Sequence, residues 1–303
     1  MGKVARLADY RPKNSADDFD DWQKDWRMEL EADERSPHTI RAYLQDINGF
    51  IKWFEQTQGP FSPELITNLD LRDYKRFLAQ TAKPATINRK ICSMSAFLTW
   101  AQDTERIKSV PKMPRMVKEQ RQGIRWLSPD QQHDLLQRVE RDGSCRDLGM
   151  VKLLLNTGLR VAELTDLRWG DVEISDRCCE LVVRAGKGSK RRVIPLNKDA
   201  RSALLLLGYE KNRGMDKSVM QGQRGGMVPR GVCWLLKKYR GNLSNFSVHT
   251  LRHTFCKNLV DAGVSLEKIA ALAGHENLET TRRYCQPSPN DLAKAVDLIG
   301  QED

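Results

Sequence analysis

The sequence predicts a mainly α-helical protein with a small antiparallel β-sheet, divided into two domains. Three observations predict it. Apolar residues recur at helical spacing through the first third and again towards the end. Three short β-branched runs between residues 172 and 194 switch the period to two. A basic, proline-broken stretch around residues 108–125 separates the two regions. At 303 residues the chain is long enough for two ordinary domains and too long for one simple core.

The elements follow in order. Residues 1–15 form a tail without a pattern. Phe19, Trp22, Trp26 and Leu30 mark a first amphipathic helix. Ile40, Tyr43, Leu44, Ile47, Phe50, Ile51 and Phe54 mark a second, with Ser36 as N-cap and Pro37 in its first turn. Segments 71–79 and 87–101 add two more, the last with Ile91, Met94, Leu98 and Ala101 on one face. Four helices within residues 16–107 make a small bundle whose aromatics are core. Pro111 and Pro114 then break the pattern, and 108–125 reads as a linker.

A second domain, 126–303, opens with Ser128-Pro129, where Gln131 completes a capping box. Segment 147–156 is an apolar helical run stopped by Gly158, and a short helix follows over 161–166. Strands are expected at 172–174, 181–183 and 192–194, the last two joined by a turn at 185–189. Helices resume after Gly231. The final one, 291–299, carries Leu292, Ala295, Val296 and Ile299 on one face.

Composition narrows the function. The formal charge of +10 points to a polyanionic partner, of which nucleic acid is the commonest. Its distribution says more: residues 17–34 are rich in Asp and Glu. Between Arg106 and Arg125, however, Lys108, Lys112, Arg115, Lys118 and Arg121 join those two arginines against a single acid, Glu119. Arg41, Arg89 and Lys90 on the polar helical faces, with Lys112, Arg115 and Arg121 in the linker, are therefore DNA-binding candidates. Seven scattered cysteines with no CxxC pair make a disulfide framework or a thiolate metal site a poor expectation and fit a reduced, cytoplasmic protein. No apolar run reaches roughly 18 residues, so no membrane span is expected. The N-terminus has no secretory apolar stretch, and Arg6 stands where myristoylation needs Ser or Thr.

Four clusters could carry chemistry. In the run from Asn156 to Leu164, Arg160 follows a Gly-terminated helix, where its guanidinium can reach two phosphate oxygens, and Glu163 can hold it. Lys187 sits between glycines at a hairpin tip, with Lys190 and Arg191 beside it as further DNA-binding candidates. Strands flank this turn and the Walker spacing is missing, so ATP binding is rejected. His249 and His253 have a zinc-like spacing, but Thr250 replaces the glutamate of the metalloprotease motif. His249 and Arg252 instead share a face that could grip a phosphate. Finally, Gly274 delivers His275 at a turn, and Tyr284 follows on the next short helix. Together they are the parts that metal-free phosphoryl transfer needs, and neither metal nor cofactor is called for.

In these clusters, TGLRVAEL, GKGSKRR, HTLRHTF and GHENLETTRRY, the chain resembles the tyrosine recombinases of the phage integrase family, most closely Xer-like enzymes and mobile-element integrases and resolvases. Ala273, where members often have Leu, and Cys285 after the tyrosine are small departures. The resemblance implies an N-terminal four-helix core-binding (SAM-like) domain followed by an α+β catalytic domain. It implies a site-specific recombinase in which Tyr284 attacks the scissile phosphate, giving a 3′-phosphotyrosyl link. Arg160 and Arg252 would clamp the non-bridging oxygens, and His275 would add a hydrogen bond. Lys187 would protonate the leaving 5′ oxygen, and His249 would exchange the tyrosine proton. The implied partners are double-stranded DNA at specific sites and a homotetramer whose C-terminal helix docks on a neighbouring protomer. Integration, excision, cointegrate resolution and dimer resolution draw on the same residues, with or without accessory proteins. A type IB topoisomerase-like activity and a non-catalytic DNA-binding regulator on the same fold are the alternatives.

Overall fold

The computed structural model describes residues 16–119, 123–184, 191–243 and 246–285, with 292, 296 and 297 near the end. Arg121, the 185–189 turn with Lys187, Lys190, the tail 1–15 and most of the expected terminal helix lie outside the described residues. The chain divides into two compact units, Met1–Arg121 and Gln122–Asp303.

Among its described residues the first unit has four α-helices, α1 Ala16–Ala32, α2 Pro37–Thr57, α3 Asn68–Ala79 and α4 Pro84–Asp103, and a 3₁₀ turn, Pro63–Leu65. Their starts are set locally. The Ser36 hydroxyl accepts from the Thr39 N–H at 3.1 Å, and Thr67 and Asp70 cap each other's backbone N–H groups. The apolar faces meet in one core containing Trp26, Ile47, Phe50, Tyr74, Met94, Phe97 and Leu98. Its rings pack edge-on, Phe50 on Tyr74 at 4.9 Å and Trp26 on Phe97 at 5.1 Å, so these aromatics are core, as their spacing predicts.

Polar groups complete this unit. Asp46 is buried on α2 and accepts from Ser93 at 2.8 Å and from Arg89 on α4. A buried carboxylate needs such partners, so Arg89 has a structural task whatever else it touches. Arg106 pairs with Asp25 at 2.6 Å and lies 4.9 Å from the Trp100 ring centre. Residues 108–119 of the expected linker have no regular structure and are fastened to the bundle. Asn88 exchanges two hydrogen bonds with the Val117 backbone, and Lys75 donates to the Arg115 carbonyl.

The second unit is built around α6 (Cys145–Thr157), which packs against α5 (Pro129–Asp142), α8 (Lys198–Leu206) and α11 (Val248–Asp261). Met150, Val151, Leu153 and Leu154 are fully buried, which accounts for the apolar run on either side of Lys152. After α7 (Val161–Asp166), three antiparallel strands follow in sequence order, β1 Val172–Ile174, β2 Cys179–Val183 and β3 Arg192–Pro195. Leu181 stands opposite both Val172 and Ile194, so the buried face is continuous across the sheet.

Beyond β3 come elements that sequence periodicity does not anticipate: α8, the short helix α9 (Tyr209–Asn212), and a small hairpin of β4 (Gln221–Gly222) and β5 (Gly225–Gly226). In α8 only Ala200, Ala203 and Leu204 are buried, while Leu205 and Leu206 are exposed, so the apolar run hides its own period. Helix α10, Pro229–Lys238, begins at the proline rather than after Gly231, as suits a residue with no N–H to leave unpaired. Helices α12 (Leu266–Ala273) and α13 (Leu278–Arg282) and a 3₁₀ turn, Arg283–Cys285, follow α11.

Candidate active site

Two glycine-capped helix ends build the site. Gly158 ends α6 and Gly274 ends α12, both in the left-handed region, at φ +60° and +67°. Space forbids larger residues as well. A Cβ on Gly158 would lie 2.3 Å from the Phe255 ring, and one on Gly274 would lie 2.8 Å from the Arg192 guanidinium. The last carbonyls of these helices, which have no partner within the helix, turn towards arginines. Arg252 on α11, only 5% exposed, donates to the Gly158 carbonyl at 2.6 Å and to the Ala273 carbonyl. Arg160 donates to the Gly274 carbonyl at 2.6 Å. The negative ends of two helices thus hold the two cations side by side.

Glu163 organises the same cluster. It accepts from the backbone and the guanidinium of Arg160 at 2.7 and 2.8 Å, and from both terminal nitrogens of Arg192 at 2.8 Å. Burial alone would raise its pKa, but the hydrogen bonds from Arg192 and Arg160 outweigh burial and hold it at about 2. Burial, and then the neighbouring Arg160, lower the pKa of Arg252 to about 10, so it still carries its charge at neutral pH. Three arginines against one carboxylate leave the cluster positive.

His275 lies directly after Gly274, and its Nδ1 is 2.9 Å from the Thr281 hydroxyl. Burial, followed by the charges of Arg252 and Arg160, lowers its pKa to about 4, so the ring is neutral at pH 7. Tyr284 is 1% exposed and packs with Phe255, Cys256, Ile269 and Ala273. Its ring is parallel to that of His275, 6.3 Å away at 9°. Burial, and then Cys256, push its pKa up, so the phenol keeps its proton.

The fold therefore gathers Arg160, Glu163, Arg252, His275 and Tyr284 from four separate segments. His249 is exposed at the start of α11, 6.4 Å from the His253 ring. The histidine bonded to Tyr284 is His253, whose Nδ1 lies 2.7 Å from the phenolic oxygen. In the sequence that residue stands out only as half of a failed zinc spacing. Arg192, in sequence only one cation of a basic turn, is the main partner of Glu163.

Of the DNA-binding candidates, Arg41, Arg89, Lys112, Arg115 and Arg191 are exposed and Lys90 is partly buried. A further basic face, on the second unit, is not among those candidates. Residues 217–260 contain no Asp or Glu, yet carry Lys217, Arg224, Arg230, Lys237, Lys238 and Arg240 ahead of Arg252. On α10, Arg230 and Lys237 are exposed beside Trp234, which is 73% exposed. The acid-free run is the signal that could have found it. Among the described residues no group of three metal-ligating side chains exists, and no helix is long and apolar enough to cross a membrane.

Residues 125–291 match the Phage integrase family, and residues 24–105 match its N-terminal SAM-like domain. The chain is 30% identical to tyrosine recombinase XerC of Syntrophus aciditrophicus, with 89% of this chain and 93% of the relative aligned. It is 31% identical to tyrosine recombinase XerA of Thermococcus kodakarensis, over 88% and 90% respectively. A lambda integrase tetramer bound to a Holliday junction shares the fold, with a TM-score of 0.70 at 19% identity, covering 88% of this chain and 76% of that one. The chain belongs to the phage integrase family and is a site-specific tyrosine recombinase.

Proposed function

We propose that Tyr284 is the nucleophile with which this recombinase cuts DNA, leaving a 3′-phosphotyrosyl bond and a free 5′-hydroxyl. The observation that carries the reading is the convergence of Arg160, Arg252, His275 and Tyr284 in one positive cluster. Arg160 and Arg252 stabilise the charge that develops on the non-bridging oxygens, and neutral His275 donates a hydrogen bond to the same phosphate. Arginines suit this task because they stay charged and offer paired donors. Lys187 protonates the departing 5′ oxygen, and His249 exchanges the tyrosine proton. Glu163 acts on the arginines rather than on DNA. The phosphotyrosyl bond preserves the energy of the phosphodiester, so rejoining needs no nucleotide cofactor.

The substrate is double-stranded DNA at specific sites, exchanged within a homotetramer holding two duplexes. The lambda integrase tetramer supports that assembly, and a C-terminal helix over 291–299 would dock on the neighbouring protomer. Arg41, Arg89, Lys90, Lys112, Arg115, Arg121, Lys190, Arg191 and the α10 face bind the phosphate backbone. Incubating wild-type protein and Tyr284→Phe with DNA, then trapping adducts in denaturant, tests the reading. An adduct with wild type alone is expected; an adduct surviving in Tyr284→Phe would overturn the assignment.

A further inference from the structure

We propose that His253 is a positioning residue for Tyr284, its Nδ1 receiving the phenolic hydrogen and fixing the hydroxyl within the arginine cluster. The inference rests on the reading of Tyr284 as the nucleophile. Tyr284 lies in a single 3₁₀ turn after a five-residue helix, elements too short to orient a side chain by themselves. Its ring is held from two sides, parallel to His275 at 6.3 Å and tilted 48° against His253 at 5.7 Å. Stacking restrains the ring plane; the hydrogen bond fixes where the oxygen points. A buried hydroxyl requires such a partner.

The geometry separates the two histidines of α11. Four residues apart, they occupy one helical face. His249, in the first turn, is exposed, whereas His253 is one turn deeper and touches the tyrosine. The groups facing His253 are His249 and Arg252 on its own helix, His275 from the end of α12, and Arg283 beside Tyr284, while Cys256 meets the same tyrosine. Burial, then His249 and the two arginines, keep its imidazole neutral at pH 7, with a pKa of about 4. Both groups are neutral, so a 2.7 Å contact allows either direction; in the proposed arrangement the hydroxyl is the donor and Nδ1 the acceptor, with the ring hydrogen on Nε2.

The test compares wild type, His253→Ala, His253→Asn and Tyr284→Phe as full chains. The duplex probe is one that wild type captures covalently from a random-sequence pool. Misplacing a reacting group by about 1 Å costs about 10²-fold in rate, so His253→Ala should form adduct about 10²-fold more slowly at unchanged DNA affinity. Asparagine keeps an acceptor near the Nδ1 position and should recover at least about tenfold of that loss, which a merely structural role would not predict. Without DNA, ¹⁵N-histidine spectra of wild type should show an unprotonated Nδ1 on His253 whose resonance moves in Tyr284→Phe. The proposal is overturned if His253→Ala cleaves at the wild-type rate or faster, or if asparagine rescues nothing. It is overturned equally if the Nδ1 resonance ignores Tyr284→Phe. Wild type giving no adduct from any duplex would instead count against Tyr284 as nucleophile, while the spectra would still decide the contact.

Discussion

Glu163 receives both terminal nitrogens of Arg192, each at 2.8 Å, while also accepting from the backbone and side chain of Arg160. One carboxylate thus balances two guanidiniums and fixes the arginine proposed to grip the phosphate. Arg192 is tied down further through Nε, which donates to the Leu272 carbonyl at 2.9 Å. Glu163→Gln removes the charge but keeps the shape, leaving Arg160, Arg192 and Arg252 to repel one another. The variant should show a lower melting temperature and adduct formation slowed at least tenfold. Its melting curve and cleavage rate, measured together, check this.

The same carboxylate sets a pH window. Its folded pKa of about 2 lies below its ordinary value of 4.5. The stability it contributes is therefore present above pH 4.5 and disappears as pH falls through about 2. A shift of this size corresponds to about 3 kcal/mol. His253 and His275, both lowered to about 4 from 6.5, are half-buried and neutral in the folded chain, and the unfolded chain takes up their protons first. Stability should therefore begin to fall near pH 6.5 and continue falling to pH 4. Urea midpoints between pH 7 and 4 test the sign: His275→Asn should flatten that slope, and an unchanged slope would refute the assignment.

Arg252→Lys should be severe. A single ammonium cannot reproduce the planar fork that reaches the Gly158 and Ala273 carbonyls together. Loss of about 10²–10³ in cleavage rate is expected, the usual effect of removing one charge-stabilising donor. DNA affinity, measured by gel shift, should change far less than the rate of adduct formation.

Gly158→Ala tests the frame. The left-handed backbone costs a non-glycine residue roughly 1–2 kcal/mol, and the new methyl would collide with Phe255. Overpacking of this kind adds about 1–3 kcal/mol. Calorimetry should show a fall of several degrees, whereas Gly59→Ala, with nothing near its Cβ, should lose only the backbone part.

The α10 face predicts a salt effect. Removing one cation that neutralises a phosphate should reduce the slope of log affinity against log salt by about 0.9. Arg230→Ala and Lys237→Ala should each do so, while Trp234→Ala should weaken binding without altering the slope. Equal slopes in all three would show that this face does not meet DNA.

Much of the fold was legible because it is encoded locally. Ser36, Ser128 and Gly158 mark helix boundaries through their own backbone and side-chain hydrogen bonds, which are read from a few adjacent residues. The period of two at residues 172, 181 and 194 likewise disclosed the sheet. Helix α8 was not legible, because three exposed or half-exposed leucines extend its buried stripe and erase the period. The placement of Arg160 and His275 was legible too, since TGLR and GH set them just beyond the glycine-capped helices α6 and α12.

What the sequence determined alone, then, is the four-helix bundle, the three-stranded sheet, the positive balance and the family. Only the tertiary structure decided which of those groups touch. That Arg192 rather than solvent meets Glu163, and that His253 rather than His249 meets Tyr284, depends on segments separated by 29 and 31 positions. Periodicity and capping act over one or two turns. Pairings at that distance are set by how α12 packs on strand β3 and how the 3₁₀ turn packs on α11, where burial penalises every polar atom left without a partner.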